Sequence, residues 1–176
     1  METIMDFSKM TFHEVIEEVL SAQLTGKMSG RIIADLELSL IDCDGENRLW
    51  ADYLYKKKEN HLNPYDGVHG GIACTIADTC MGNTICAATQ SLPSTTDLSV
   101  SYLKPMNADS FRIHVEIRKT GKQLVAANCS IYELESGRLC VDSMSKYILV
   151  KKDILADEEA SSRMDSAICP RGYSHE

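Results

Sequence analysis

One carboxylate, Asp78, lies inside a long run of small and apolar residues, "GGIACTIADTCMGNTICAAT" (70–89). Burying an unpaired carboxylate costs several kcal/mol, so a chain keeps one there with partners or with a task, such as activating water or attacking as a nucleophile. The run opens with Gly70 and Gly71. Two glycines leave the first N–H groups of a helix uncluttered at its mildly positive end, where a carbonyl oxygen gaining negative charge could rest. The plainer alternatives are an Asp that reaches the helix rim and glycines that ease packing. His69 precedes the glycines and can cap the helix, orient the loop or polarise a carbonyl, while His13, His61, His114 and His175 read as surface residues. Asn63, before Pro64, is a turn residue whose amide could also position a water or His69.

Spacing constrains this set. Gly71 and Asp78 are seven residues apart, two turns on one face. Along the axis that is roughly 10 Å, more than a short side chain can bridge. A single reacting carbon needs both groups within about 3–4 Å. One subunit cannot supply that, but a two-fold dimer can, with Gly71 of one helix near Asp78 of the other.

The surrounding elements must hold this helix. Residues 11–24 place Phe12, Val15, Ile16, Val19, Leu20 and Leu24 at helical spacing, an amphipathic helix packed on the outside of the domain. From Ile32 the period becomes two, with Leu36, Leu38 and Leu40 alternating with polar residues as in a half-buried strand; "DGEN" (44–47) turns into a second strand. After the helix and a "SLPSTT" connection come four more strands, at 97–103, 111–119, 123–134 and 138–150, with turns at "TGK" (120–122) and "ESG" (135–137). Alternating antiparallel strands want one covered face, and the single apolar helix is the natural cover: an α+β fold with an antiparallel sheet curled around one helix. We expect three parts: an N-terminal helical extension (1–28), the core domain (29–150) and a polar, loosely held C-terminal tail (151–176).

The 176 residues carry a net charge of −8, which disfavours nucleic acid as a partner. Seven cysteines (43, 74, 80, 86, 129, 140, 169) lack a C-x-x-C pair and read as free thiols in a reducing compartment. No Cys/His cluster has metal-ligand spacing, and Cys74, Cys80 and Cys86 lie on different helix faces with no nearby base, against a cysteine nucleophile. The acidic N-terminus does not resemble a signal peptide and no run is long enough to span a bilayer, so we expect a cytoplasmic protein without a membrane partner.

The stretch "NPYDGVHGGIACTIADTCMGNTICAA" with "TTDLSVSYLKP" resembles the hotdog-fold acyl-CoA thioesterases of the PaaI-like group, related to the phenylacetyl-CoA and hydroxybenzoyl-CoA thioesterases. The shared pattern is Asn63, then His69-Gly70-Gly71 six residues on, then an acid nine after the His. The resemblance covers about 30–150 and implies a hotdog fold, homodimers often paired into tetramers, and hydrolysis of an acyl- or aryl-CoA thioester. It implies that Gly71 N–H polarises the thioester carbonyl and that Asp78 of the other subunit is base or nucleophile. Asn63 and His69 would organise the water and the loop, and Thr95 or Thr96, with Thr95 preferred, would assist. No metal or redox cofactor is implied, coenzyme A being part of the substrate. Its phosphates call for a basic rim, for which Arg118, Lys119 and Lys122 around Gly121 are candidates beside Gly70, with Lys104 and Arg138 in reserve. The rival readings are a non-catalytic acyl-CoA-binding module and a hotdog hydratase or dehydratase.

Overall fold

The computed structural model describes residues 9–25 and 31–150. In chain order these form α1 (Phe12–Leu24), a short α2 (Ile32–Asp35), β1 (Ser39–Asp44), β2 (Trp50–Lys56), α3 (Gly70–Thr89), β3 (Leu92–Tyr102), β4 (Ser110–Thr120), β5 (Leu124–Glu133) and β6 (Leu139–Val150). The six strands make one antiparallel sheet in the order β1-β2-β4-β5-β6-β3. This is the expected α+β arrangement, a sheet wrapped around one long helix.

Period-two alternation decides which face of the sheet is covered. Phe111, Ile113 and Val115 of β4 are fully buried, and so are Val125, Cys129 and Ile131 of β5, while their alternating neighbours face outward. The inward residues meet α3, which packs against β2, β3, β4, β5 and β6. Ile76, Met81 and Ile85 of α3 are wholly buried, each worth about 1.5–3 kcal/mol relative to exposure. Within this core Thr84 Oγ1 hydrogen-bonds the Tyr53 hydroxyl at 2.8 Å. The helix ends at Gln90, which takes a left-handed conformation with φ of 52°.

The N-terminal helix belongs to the same core. Its first turn carries a capping box: Thr11 Oγ1 accepts from Glu14 N–H at 3.3 Å while Glu14 Oε2 accepts from Thr11 N–H at 2.7 Å. Val15 and Ile16 are fully buried against α3 and β1. Phe12 seats on Gly45 of the β1–β2 turn, where an added Cβ would come within 2.4 Å of the Phe12 side chain. Gln23 and Asn83 join α1 to α3 through a buried amide pair, Gln23 Nε2 donating to Asn83 Oδ1 at 2.8 Å.

Three expectations need correction. Residues 32–38 do not form a strand: Ile32–Asp35 make a helical turn and Glu37 has φ of 47°, which breaks the extended path. Leu36 and Leu38 are buried all the same, so the alternation marked buried side chains without marking a strand. "SLPSTT" is not a loop, because β3 begins at Leu92 and Ser94 and Thr95 already pair with β6. His61 is not a surface residue: it is 3% exposed, gripped by Tyr55 and Asp35. The expected tail at 151–176, with Cys169 and His175, lies outside the described residues.

Candidate active site

The site is built at two levels of α3. At its N-terminus His69 is the capping residue, and its Nδ1 accepts from Gly71 N–H at 3.0 Å while its carbonyl accepts from Ala73 N–H at 3.0 Å. Accepting through Nδ1 requires that nitrogen to be unprotonated. A Cβ on Gly71 would lie 3.1 Å from His69 Nδ1, so the imidazole sits this close because the residue is glycine. Tyr102, at the end of β3, donates its hydroxyl to Gly70 O at 2.8 Å.

The loop before the helix is tied from both sides. Asn63 Oδ1 accepts from Tyr65 N–H at 2.8 Å and from Gly67 N–H at 3.2 Å, so its carbonyl oxygen organises its own turn rather than contacting His69. His69 N–H donates to His61 O at 2.8 Å, and Val68 N–H to Met106 O at 3.0 Å. His61 is itself locked, with Nε2 2.7 Å from Asp35 Oδ2 and Nδ1 2.8 Å from the Tyr55 hydroxyl. Hydrogen bonds from His61, Lys58 and Asn60 pull the Asp35 carboxyl down to about 2, and burial pushes the Tyr55 phenol up to about 12. Between the helix start and residues 102–107 lies a cleft of about 530 Å³, lined by Asn63, Gly70, Ala73, Tyr102, Lys104 and Met106 among others.

Two turns further on, Asp78 is half-buried. Its Oδ1 accepts from Thr95 Oγ1 at 2.9 Å and from the Tyr147 hydroxyl at 2.9 Å. Thr95 and Tyr147 are register partners on β3 and β6, and β3 has a bulge between Thr95 and Asp97. Such a bulge re-aims side chains, here letting Thr95 reach the helix. Burial first, with the Asp78 charge adding to it, holds the Tyr147 phenol well above its usual range, so it stays a donor. Oδ2 has no hydrogen-bond partner among the described residues, and since no buried side-chain oxygen there is unpaired, it keeps a path to solvent.

The five residues expected to do chemistry therefore fall into two groups: Asn63, His69 and Gly71 at the helix start, and Asp78 with Thr95 two turns away. Tyr147 and Tyr102 were missed. Tyr147 had a signal, because a tyrosine on the inward face of a strand must find a partner for its hydroxyl. Of the coenzyme candidates, Gly70 lines the cleft, and so does the reserve Lys104. Arg118, Lys119, Gly121 and Lys122 sit at the β4–β5 turn with no hydrogen bond to either group; Arg118 is paired with Glu116 at 2.8 Å. Arg138 is paired with Glu133. The six described cysteines are thiols, and burial raises Cys80 well above the usual range and Cys129 to about 12. Among the described residues no group of three His, Cys, Asp or Glu could hold a metal ion, and no helix is long and apolar enough to cross a membrane.

Residues 65–140 match the sequence model of the thioesterase superfamily. This segment, less than half of the chain, is similar to the thioesterase superfamily. A Halobacterium salinarum protein named as an inferred esterase is 41% identical over 86 residues, a match that spans 44% of this chain and only 54% of that relative. Among solved structures, zebrafish thioesterase superfamily member 2 superposes with a TM-score of 0.68 at 17% identity, covering 81% of this chain and all of that one (100%). The Escherichia coli PaaI protein of the phenylacetic acid degradation operon gives 0.66 at 16% identity, covering 79% and 95%. A Streptococcus mutans protein bound to acetyl-CoA gives 0.59 at 15% identity, covering 65% and 90%. The fold is the hotdog fold of these thioesterases.

Proposed function

We propose that the protein hydrolyses an acyl- or aryl-CoA thioester to a carboxylic acid and free coenzyme A, at an active site shared across a homodimer. The observation that carries the proposal is Asp78: a carboxylate whose Oδ1 is held by Thr95 and Tyr147 while Oδ2 stays open, inside a segment similar to the thioesterase superfamily. The acetyl-CoA complex of the Streptococcus relative supports coenzyme A as the carrier.

In this reading the thioester carbonyl oxygen takes the Gly71 N–H from His69 Nδ1, which swings away from its exposed position. The backbone donor then stabilises the negative charge that develops on that oxygen. Asp78 Oδ2 of the second subunit takes a proton from water, whose oxygen bonds to the carbonyl carbon as the carbon–sulfur bond breaks. The nucleophilic version has Oδ2 bond to that carbon first, giving an anhydride that water then opens. Both leave a carboxylic acid and a thiolate that is protonated to the thiol. Asn63 holds the loop, and Lys104 at the cleft is the nearest candidate for a coenzyme phosphate, with Arg118, Lys119 and Lys122 at the β4–β5 turn as a second basic group.

Helix geometry together with the sheet edge supports the dimer. β3 is a terminal strand that carries Thr95, with exposed Leu92, Tyr102 and Leu103 at its ends. Pairing two such edges about a two-fold axis sets the α3 helices side by side and antiparallel, which brings Gly71 of one toward Asp78 of the other. The test is free-thiol release from a panel of acyl-CoAs by wild type and Asp78→Asn. A loss of at least about 100-fold is expected for removal of a catalytic base or nucleophile. Undiminished turnover by the variant refutes the Asp78 role, and binding without thiol release by wild type refutes hydrolysis.

A further inference from the structure

A Gly-Gly peptide is the backbone unit freest to rotate, because neither flanking residue has a Cβ. The Gly70–Gly71 peptide is nonetheless fixed at both ends. Its carbonyl oxygen accepts from the Tyr102 hydroxyl at 2.8 Å, and its N–H, pointing the opposite way across the trans plane, donates to His69 Nδ1 at 3.0 Å. When substrate displaces His69 from that N–H, the carbonyl keeps two bonds, the intrahelical one it accepts as the first residue of α3 and the one from Tyr102. The Tyr102 bond is the side-chain tether that ties this peptide to the sheet. Gly70 lets the ring come close: a Cβ there would be 3.4 Å from Tyr102 Cε1 and Cζ.

We infer that Tyr102 is a positioning residue for the reaction, holding the Gly70–Gly71 peptide so that its N–H stays aimed at the thioester oxygen. The inference rests on the thioesterase reading above. A donor on the carbonyl oxygen also draws electron density from the amide nitrogen, which makes the Gly71 N–H a stronger donor as charge builds on the substrate. Burial beside the cleft raises the Tyr102 phenol, so its proton stays on the oxygen that must donate. The effect falls on the transition state, where the oxyanion forms, more than on bound substrate.

Tyr102→Phe keeps the ring against Gly70 and removes only the hydroxyl. Its side chain is more than half exposed, at 56%, so the fold does not depend on that oxygen. With the best acyl-CoA substrate, we expect kcat to fall about fivefold to tenfold, the worth of one modest hydrogen bond, with KM within about twofold and the thermal midpoint unchanged. A raised KM at unchanged kcat overturns the inference, because Tyr102 then only lines the cleft; unchanged kinetics overturn it too. Wild-type protein that releases no thiol overturns the thioesterase reading and this inference together, so the two failures are told apart.

Discussion

Replacing Tyr147 by Phe tests the scaffold that presents Asp78. The Tyr147 ring is 1% exposed, and its hydroxyl donates to Asp78 Oδ1 at 2.9 Å. Hydrogen bonds to charged groups contribute about 1.5–3 kcal/mol, and Phe leaves no orphan of its own. The half-buried carboxylate retains Thr95 and some water, so the lower end applies, about 1.5 kcal/mol. For a chain of this size that lowers the thermal midpoint by about 3–6 °C. Urea unfolding monitored by circular dichroism should show a lower midpoint at unchanged slope, since the surface exposed on unfolding is the same. Because Thr95 and Tyr147 donate to one oxygen, Thr95→Ala and Tyr147→Phe should be non-additive by about 0.5 kcal/mol or more. A Tyr147→Phe midpoint equal to wild type, or strict additivity of the pair, refutes the shared-oxygen scaffold.

Two further outcomes concern the parts that hold the helix. Gln23→Ala strips the buried Asn83 amide of its partner on α1 and should cost about 2 kcal/mol in urea unfolding, with most of it recovered by adding Asn83→Leu. Full stability of Gln23→Ala would mean that α1 is not docked through this pair. Asp35 has a folded-state pKa depressed from 3.8 to about 2, so its contribution to stability is present above about pH 4 and lost as pH falls through about 2. The stability gap between wild type and Asp35→Asn should therefore be full at neutral pH and close in that acid window; a gap independent of pH contradicts the His61–Lys58–Asn60 cage.

The helix 70–89, the strand alternation after residue 97 and the turns at 120–122 and 135–137 were legible because each imposes one period or one turn chemistry on a local stretch. Asp78, His69 and the glycines stood out for the same local reason, as residue types that are costly where they sit. What escaped was non-local. The period of Leu36, Leu38 and Leu40 matches a strand, but the left-handed Glu37 and the Lys58, Asn60 and His61 contacts to Asp35 fold 32–38 into a turn. His61 reads as polar and exposed until Tyr55 and Asp35 are brought to its two nitrogens. Tyr147 reaches Asp78 from 69 residues away and Tyr102 reaches Gly70 from 32, separations that carry no local signature. The capping box at Thr11 and Glu14 was readable and went unread.

The central claim is that one site takes Gly71 from one subunit and Asp78 from the other. Gly71→Pro removes the N–H at a first-turn position that tolerates proline, and Asp78→Asn removes the charge. Each variant alone should be nearly inactive. Refolded together at equal amounts, half of the dimers are mixed, and each mixed dimer carries one site with both native groups, so about a quarter of wild-type thiol release should return. A site contained within one subunit has no intact copy in any of these dimers. Activity that stays at the level of the separate variants after verified mixing contradicts the account.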